Sequence, residues 1–508
     1  MRHPEHEESY EEDWLCEAIT ETYIPLLRMM QRLLADGVPC KLTMSITPPL
    51  CAMLQDELLQ HRYRRHLSRS IALARRETSR HQEGSHLHQL AHFYCDRFTE
   101  TLHHYECWNC NLLPVFRELR DAGVLEIIGS AATHGLLPLL ARSPEAVRAQ
   151  VLIGCDVYRE AFGADPAGFW LPECAYAPGL DRVLQEANVR WFVLDSHGLM
   201  LAKPRPRRAI YAPCFTPAGP AAFARDPESS RQVWSAESGY PGEPAYRDFY
   251  RDVGFDLPPQ EVFPHSTLQT PRFTGLKYHR ITGRSGPKEF YHRDWAEEAA
   301  HAHATHFLDA RLQQFRALPA IDFDPILLMP FDAELFGHWW YEGPLFLESF
   351  IRQAAAHADE LQLTTPGEYL AAHPRQEIAA PAASSWGENG YWAVWLDHSN
   401  SWIYPHLHNA AHRMTQIARG HGESPSPLQE RVLQQLAREL LLAQSSDWAF
   451  LIRSGTAKQY ATHRTTDHIQ RFNLLHGQLS NARVDEEFLS ECESRDNLFP
   501  NVNWRYYL

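Results

Sequence analysis

The chain has 508 residues, with 48 Lys and Arg against 63 Asp and Glu and a formal charge of −15. This acidic balance argues against nucleic acid and anionic membrane surfaces as partners, because both repel negative charge. With 44% hydrophobic and 22% charged residues the chain can bury a large core, and no run approaches the ~18 apolar residues of a membrane span. The acidic, polar first 14 residues do not resemble a secretory signal peptide. We therefore expect a globular cytoplasmic protein.

The N-terminal part predicts mostly helix around a single strand. Apolar residues at helical spacing over 13–35, followed by Gly37, predict an amphipathic helix. Residues 41–46 have the composition of a strand, which Pro48 ends. From about 52 to 121 the sequence is rich in His, Arg and Gln at helical spacing. This segment is predicted to be a helical insertion.

A repeated pattern follows, in which short apolar runs end in a polar side chain and helices lie between the runs. Such alternation favours a parallel sheet, and in a β/α barrel the chemistry gathers at the carboxyl ends of the strands. An open sheet is the less favoured alternative. The runs and their terminal residues are 125–129 before His134, 168–172 before Glu173, 191–194 before Asp195 and His197, and 326–329 before Asp332.

Two further regions complete the predicted organisation. Residues 203–290 are rich in Pro, Gly, Arg and Tyr and are predicted to be loop-rich and functional. From Pro427 onward an apolar stripe at helical spacing predicts helices. We therefore expect a catalytic barrel over 1–400 and an all-helical C-terminal domain over 401–508.

Two carboxylates stand in similar aromatic settings at predicted strand ends. Glu173 lies between Trp170 and Tyr176, and Asp332 precedes a run of aromatic residues ending at Tyr341. Two such acids across one sugar ring could cleave a glycosidic bond, one as nucleophile and the other as proton donor. For either residue alone, a salt-bridged or loop-capping acid is the more ordinary interpretation, and only the two matching contexts together make the catalytic interpretation as favourable.

A third cluster, residues 384–395, combines three Trp and one Tyr with Gly and Ser. This composition favours a platform on which sugar rings stack. Core packing is the alternative, since Trp392 and Trp395 could both be interior.

These motifs together resemble glycoside hydrolase family 57, over essentially the whole chain. The segments that carry the resemblance are 170–173, 232–242, 246–252, 331–341 and 386–408. The resemblance implies an α/β fold, an incomplete (β/α)7 barrel with a helical insertion and a C-terminal helical domain. It also implies a retaining double displacement that needs no metal or other cofactor.

The resemblance also implies roles for individual residues. Glu173 would be the nucleophile and Asp332 the general acid/base, with their carboxyl groups about 5–5.5 Å apart. His134 would bind the sugar at the cleavage point, and Trp386 and Trp395 would stack on glucose rings. Further substrate contacts would come from Arg247, Arg251, Gly283 and Asp447. Tyr240 is the candidate lid residue, although its Gly-Tyr-Pro-Gly setting is also that of an ordinary turn.

The activity implied is 1,4-α-glucan branching in glycogen biosynthesis: cleavage of an α-1,4-glucan and transfer of the segment to a 6-hydroxyl. An α-amylase or a 4-α-glucanotransferase of the same family is the nearest alternative. More remote alternatives are a metal-dependent hydrolase, suggested by His134, Asp195 and His197, and a non-catalytic glucan binder. The expected partner is the glucan alone, bound by a monomer or weak homo-oligomer.

The sequence departs from the family at its start. Members carry a strand with a His-x-His-x-Pro motif directly before the segment that resembles residues 2–5. Met1 stands where that motif would end. The sequence predicts either a start further upstream or a barrel without its first strand and one active-site His.

Overall fold

The structure is a computed structural model that describes residues 2–235, 239–283, 287–319, 322–422 and 424–508. A seven-stranded sheet runs through its centre in the order β1-β2-β3-β4-β6-β5-β7. The strands are β1 Leu42–Ser45, β2 Leu125–Ser130, β3 Gly168–Trp170, β4 Trp191–Leu194, β5 Cys214–Phe215, β6 Ala221–Ala224 and β7 Glu377–Ile378.

The sheet is mostly parallel, as the strand–helix alternation predicts. β1, β2, β3, β4 and β6 pair side by side in parallel, and only β5 runs antiparallel to its neighbour β6. The predicted strand at 326–329 is reduced to a single parallel bridge from Leu328 to Arg225. The mixed α/β fold with a parallel core, expected of a (β/α)7 architecture, is confirmed.

Strand β6 is a central strand that our sequence reasoning assigned to a loop. All four of its residues are buried, and it pairs with β4 over its whole length. Its Ala-Ala-Phe-Ala sequence is short and poor in β-branched residues, so it carries little strand signal. The rest of 203–290 is largely irregular, with residues 236–238 and 284–286 outside the described part.

Helices surround the sheet and fill the segment between β1 and β2. Helices α3 to α6 occupy that segment, where a helical insertion was predicted. The helices are α1 Tyr10–Ala18, α2 Ile24–Ala35, α3 Pro48–Gln55, α4 Glu57–Arg80, α5 His86–Cys107, α6 Leu113–Asp121, α7 Leu137–Leu140, α8 Pro144–Phe162, α9 Leu180–Glu186, α10 Ser196–Met200, α11 Pro227–Trp234, α12 Pro259–Val262, α13 Arg293–Arg316, α14 Gly343–Ala356, α15 Pro366–Ala372, α16 Ile403–His421, α17 Pro427–Ala443, α18 Ser446–Ser454, α19 Lys458–Ser480 and α20 Glu486–Arg495.

The predicted helix over 13–35 contains one irregular turn. A π-helical segment, Ile19–Tyr23, joins α1 to α2, and all five of its residues are buried. Single π turns within α-helices are uncommon and often lie at functional sites. The apolar spacing of the sequence continues through this turn, so it could not be predicted.

The C-terminal helices form a core of their own and also reach the sheet. Buried side chains of α16, α17, α19 and α20 pack together, and a capping box of Ser426 and Gln429 begins α17. A bridge between Gly135 and Ser445 joins the start of α18 to the segment after β2. Among the described helices, none is long and apolar enough to cross a membrane.

Candidate active site

The candidate site lies where the parallel strands end. His134 follows β2, Glu173 follows β3, Arg225 follows β6, and Asp332 follows the bridge at Leu328. Because these strands run in the same direction, their carboxyl ends meet at one edge of the sheet. The fold therefore gathers residues that are up to 198 positions apart in the sequence.

Glu173 is held at both carboxylate oxygens. The indole Nε1 of Trp386 donates to Oε2 at 3.0 Å, and the hydroxyl of Ser446 donates to Oε1 at 3.0 Å. Its backbone is left-handed, with φ of 59°, a conformation that costs a non-glycine residue of order 1 kcal/mol or more. The carboxylate is thus fixed in position, as a nucleophile must be.

His134 lies against the same carboxylate and also has a left-handed backbone, with φ of 57°. Its Nδ1 is 3.8 Å from Glu173 Oε1 and 3.0 Å from the hydroxyl of Ser446. Since that hydroxyl donates to Glu173, it must accept from His134 Nδ1. In the neutral ring, Nε2 then carries the lone pair and can accept from a sugar hydroxyl.

Trp386 forms an aromatic wall beside the nucleophile. Its ring centroid is 4.9 Å from that of Trp170, and the guanidinium carbon of Arg225 lies 5.7 Å from its ring. The side chain is half-buried, which leaves part of the ring open to a ligand. The stacking of Trp386 on a glucose ring stays a prediction.

Asp332 is half-buried and has a strongly shifted pKa. Burial, followed by the negative charges of Glu334, Glu173 and Asp447, raises its pKa to about 7, although the positive charge of Arg225 opposes the shift. A carboxyl group with this pKa holds its proton near neutral pH and can donate it. Two carboxyl groups at one sheet edge, one of which holds a proton near neutral pH, could together perform retaining cleavage.

Arg225 provides the nearby positive charge and is itself held in place. It lies 3.4 Å from Asp195 Oδ2 and donates to the hydroxyl of Ser230 at 2.8 Å. His197 contacts the other oxygen of Asp195 at 3.0 Å and the carbonyl of Gly390 at 2.9 Å. Asp195 and His197, the candidate metal ligands predicted from the sequence, thus link β4 and β6 to the segment 386–390.

Two predicted contact residues are interior. Arg247 pairs with Glu21 at 2.7 Å and lies over the Tyr341 ring, with its side chain 1% exposed. Trp395 is 2% exposed and packs against Gly387. Neither presents a surface to a sugar in this structure, and Trp395 occupies the core position that was its alternative.

The four other predicted residues differ in their exposure to solvent. Tyr240 is buried, with its hydroxyl 2.7 Å from His306 Nδ1, so it packs on α13 in this structure. Arg251 is exposed and pairs with Asp256, and the carbonyl of the exposed Gly283 accepts from Lys288. Asp447 is exposed next to Ser446, where its charge acts on Asp332.

Sequence reasoning missed Arg225, Ser446 and Glu334. Arg225 follows a strand by the pattern that found the other residues, but its strand β6 went unrecognised. Ser446 precedes Asp447, which the motifs did single out. Glu334 lies within the recognised 331–341 motif, yet nothing in its spacing indicates a role distinct from that of Asp332.

The family follows from comparison with known proteins. The model described as "Glycosyl hydrolase family 57" matches residues 1–381, and one described as "1,4-alpha-glucan branching enzyme, C-terminal" matches residues 406–507. The chain belongs to glycosyl hydrolase family 57. This confirms the resemblance inferred from the motifs, and the second match covers the helices that bring Ser446 to the site.

Similar family 57 proteins include the 1,4-alpha-glucan branching enzyme TK1436 of Thermococcus kodakarensis, 33% identical over 97% of this chain and 74% of the relative. A probable 1,4-alpha-glucan branching enzyme of Mycobacterium tuberculosis is 30% identical over 93% and 89%. Among solved structures, the α-amylase AmyC of Thermotoga maritima has a TM-score of 0.93 at 44% identity, covering 100% of this chain and 96% of AmyC. The GH57-type branching enzyme of Pyrococcus horikoshii has a TM-score of 0.87 at 32% identity, with 100% and 94% covered.

Proposed function

We propose that this protein is a 1,4-α-glucan branching enzyme that uses Glu173 as nucleophile and Asp332 as general acid/base. One observation carries the proposal: a carboxylate fixed by two hydrogen bonds stands at the same sheet edge as a carboxyl group whose pKa is raised to about 7. The names of the branching-enzyme relatives support the choice of substrate and reaction.

In the first step, Glu173 attacks the anomeric carbon of an internal α-1,4 link and forms a glucosyl ester. The bond to the departing oxygen breaks, and that oxygen takes the proton of Asp332. The shorter glucan leaves with a free 4-hydroxyl. The raised pKa of Asp332 supplies the proton at neutral pH.

In the second step, Asp332 is an ionised base. It takes the proton of a 6-hydroxyl from a second glucan segment, and that oxygen attacks the anomeric carbon of the ester. The ester bond breaks, Glu173 is released as a carboxylate, and an α-1,6 link forms with the original anomeric configuration. If water attacks instead, the outcome is hydrolysis.

Three residues are proposed to bind the donor glucan. His134 would accept a hydroxyl hydrogen bond at Nε2, and Trp386 would stack on a glucose ring. Asp447, exposed beside Ser446, would accept a further sugar hydroxyl. We assign the activity to glycogen biosynthesis in the cytoplasm, by a monomer or weak homo-oligomer.

The test is to incubate the protein with amylose and record the anomeric proton spectrum. Branching predicts new α-1,6 signals, which a debranching enzyme then removes. A Glu173→Gln variant with unchanged circular dichroism should give none. If the wild type leaves amylose unchanged, or if the variant still makes α-1,6 links, the proposal fails.

A specific observation favours a second candidate, an α-amylase. The structure described as AmyC is 44% identical to this chain, against 32% for the branching enzyme structure. Amylase activity predicts a steady release of reducing ends from amylose without α-1,6 signals, so the same incubation separates the two reactions.

A further inference from the structure

The π-helical turn Ile19–Tyr23 packs against the turn that follows Asp332. Two of its side chains hold this turn: the Tyr23 hydroxyl donates to Glu334 Oε1, and Glu21 Oε2 lies 3.0 Å from His338 Nδ1. The two segments are more than 300 positions apart in the sequence. The π turn is therefore in direct contact with the segment that carries the proposed general acid.

Backbone contact allows little movement between the two segments. A side chain at Gly337 would place its Cβ 1.8 Å from the carbonyl oxygen of Glu21, and Gly337 has φ of 123°. Only glycine fits so close an approach at this φ. The backbone of the π turn is therefore in contact with Gly337, two residues after the turn at 333–335.

Glu334 is two residues from Asp332, in the 3₁₀ turn Ala333–Leu335. The backbone N–H of Leu335 donates to the carbonyl of Asp332 at 3.2 Å, which closes this turn. Of the charged groups that face Asp332, Glu334 acts most strongly, ahead of Glu173, Arg225 and Asp447. A nearby negative charge favours the protonated form of a carboxyl group.

Tyr23 is buried, and both burial and the charge of Glu334 raise its pKa well above the ordinary value. The phenol therefore stays neutral and remains a hydrogen-bond donor at any pH where the enzyme works. Among the described residues, the Tyr23 hydroxyl bonds to the Glu334 carboxylate. Loss of the hydroxyl would free that carboxylate to turn towards solvent.

We propose that Tyr23 is a positioning residue of this active site: its phenol holds the Glu334 carboxylate beside Asp332, and this fixed negative charge keeps Asp332 protonated at the start of the reaction. The inference rests on the proposed function, because it concerns the proton of the general acid. It adds a residue of the N-terminal helix to the catalytic arrangement.

The test measures kcat/KM for amylose cleavage against pH in three variants. In Glu334→Gln the alkaline limb of the kcat/KM profile should move to lower pH by about one unit, because the negative charge of Glu334 beside Asp332 is gone. In Tyr23→Phe the alkaline limb should move to lower pH by a smaller amount, because Glu334 keeps its negative charge but is no longer held beside Asp332. The matched control is Tyr63→Phe, which removes a buried hydroxyl bonded to Thr20 in the same π turn at 3.0 Å and should leave the limb in place.

A purely structural role for Tyr23 would lower the rate equally at every pH, and that result would overturn the proposal. An equal shift in Tyr63→Phe would overturn it too. If Tyr23→Phe does not fold, Glu334→Gln with an unmoved limb is sufficient to reject it. Failure of the proposed function is distinct: Asp332→Asn would then retain the wild-type rate, or the wild type would not cleave amylose.

Discussion

Two carboxyl groups in different parts of the molecule have nearly the same pKa. Burial raises the pKa of Asp332, at the sheet edge, to about 7, and burial also raises the pKa of Glu439, in α17, to about 7. Asp332 is half-buried, whereas Glu439 is fully buried. The same shift therefore arises at a partly exposed sheet edge and in the interior of a helical bundle.

The groups that surround Glu439 differ from those that surround Asp332. Glu439 accepts from Gln435 at 2.8 Å and lies 2.7 Å from His468 Nδ1. Burial lowers the pKa of His468 to about 3, so this ring is neutral. Asp332, in contrast, faces mainly negative charges and is open to solvent on one side.

The C-terminal cluster even has the residue types of a metal site. Ligand atoms of Glu439, His468 and Asp496 lie within 4.8 Å of one another. However, Asp496 already pairs with Arg471 at 2.6 Å, so its charge is balanced by the protein. A raised carboxyl pKa thus marks burial, and it indicates catalysis only together with a second, hydrogen-bonded carboxylate at the same partly exposed sheet edge.

The largest expected effect is a loss of activity on substitution of Asp332 that substitution of Glu439 does not cause. Asp332→Asn should lower kcat/KM for amylose cleavage by roughly 10⁴-fold, because no other described residue is placed to donate the proton. Glu439→Gln should leave kcat/KM within a few-fold of the wild type. Initial rates of both variants, corrected for folded protein by circular dichroism, check this. A comparable loss in Glu439→Gln would show that the distinction is mistaken.

The sequence alone was sufficient to predict the site residues that follow strands of typical apolar composition. His134, Glu173 and Asp332 each end an apolar run, so their shared edge of the sheet could be predicted from the chain alone. Arg225 could not, because the four small residues of β6 do not have a strand's composition. Recognition of that strand would have predicted Arg225 by the same argument.

Side-chain contacts between distant segments were beyond the sequence for a different reason. Ser446 reaches Glu173 only because α18 begins beside the segment after β2, and Tyr23 reaches Glu334 only through a π turn. Arg247 shows the converse error: its motif suggested a sugar contact, but Glu21 pairs with it in the interior. A motif identifies a residue without saying which way its side chain faces.

The next largest effect concerns the C-terminal cluster. Asp496→Ala should lower the free energy of unfolding by about 3 kcal/mol, because it leaves the partly buried Arg471 without its close partner. Asp467→Ala is the matched control, since this acid, with its side chain 49% exposed, is 4.0 Å from the same arginine and should cost less than about 1 kcal/mol. Urea denaturation followed by circular dichroism measures both. Equal losses would mean that burial does not set the strength of these pairs.

A smaller effect is expected at Ser446. Ser446→Ala removes the donor to Glu173 and the acceptor for His134, and kcat/KM should fall about tenfold, the equivalent of one hydrogen bond to a charged group. Ser446→Thr should restore most of the rate. Ser454→Ala, at the exposed end of the same helix, serves as the control and should match the wild type. An unchanged rate in Ser446→Ala would remove the C-terminal helices from the catalytic arrangement.

The smallest effect is the pH dependence of the wild type. Asp332 must carry a proton to act as the general acid, and its pKa is about 7. The rate should therefore be about twofold lower at pH 7 than on the acidic plateau, and about tenfold lower for each further unit. Because the pKa is raised above the ordinary 3.8, the contribution of Asp332 to stability is fully present below that pH and is lost as the pH rises from there to about 7. The raised pKa of Glu439 gives a loss in the same direction. Rates and unfolding curves in parallel distinguish these effects: Glu439→Gln should alter the pH dependence of stability and leave the alkaline limb of kcat/KM where it is, because only Asp332 exchanges its proton with the glucan.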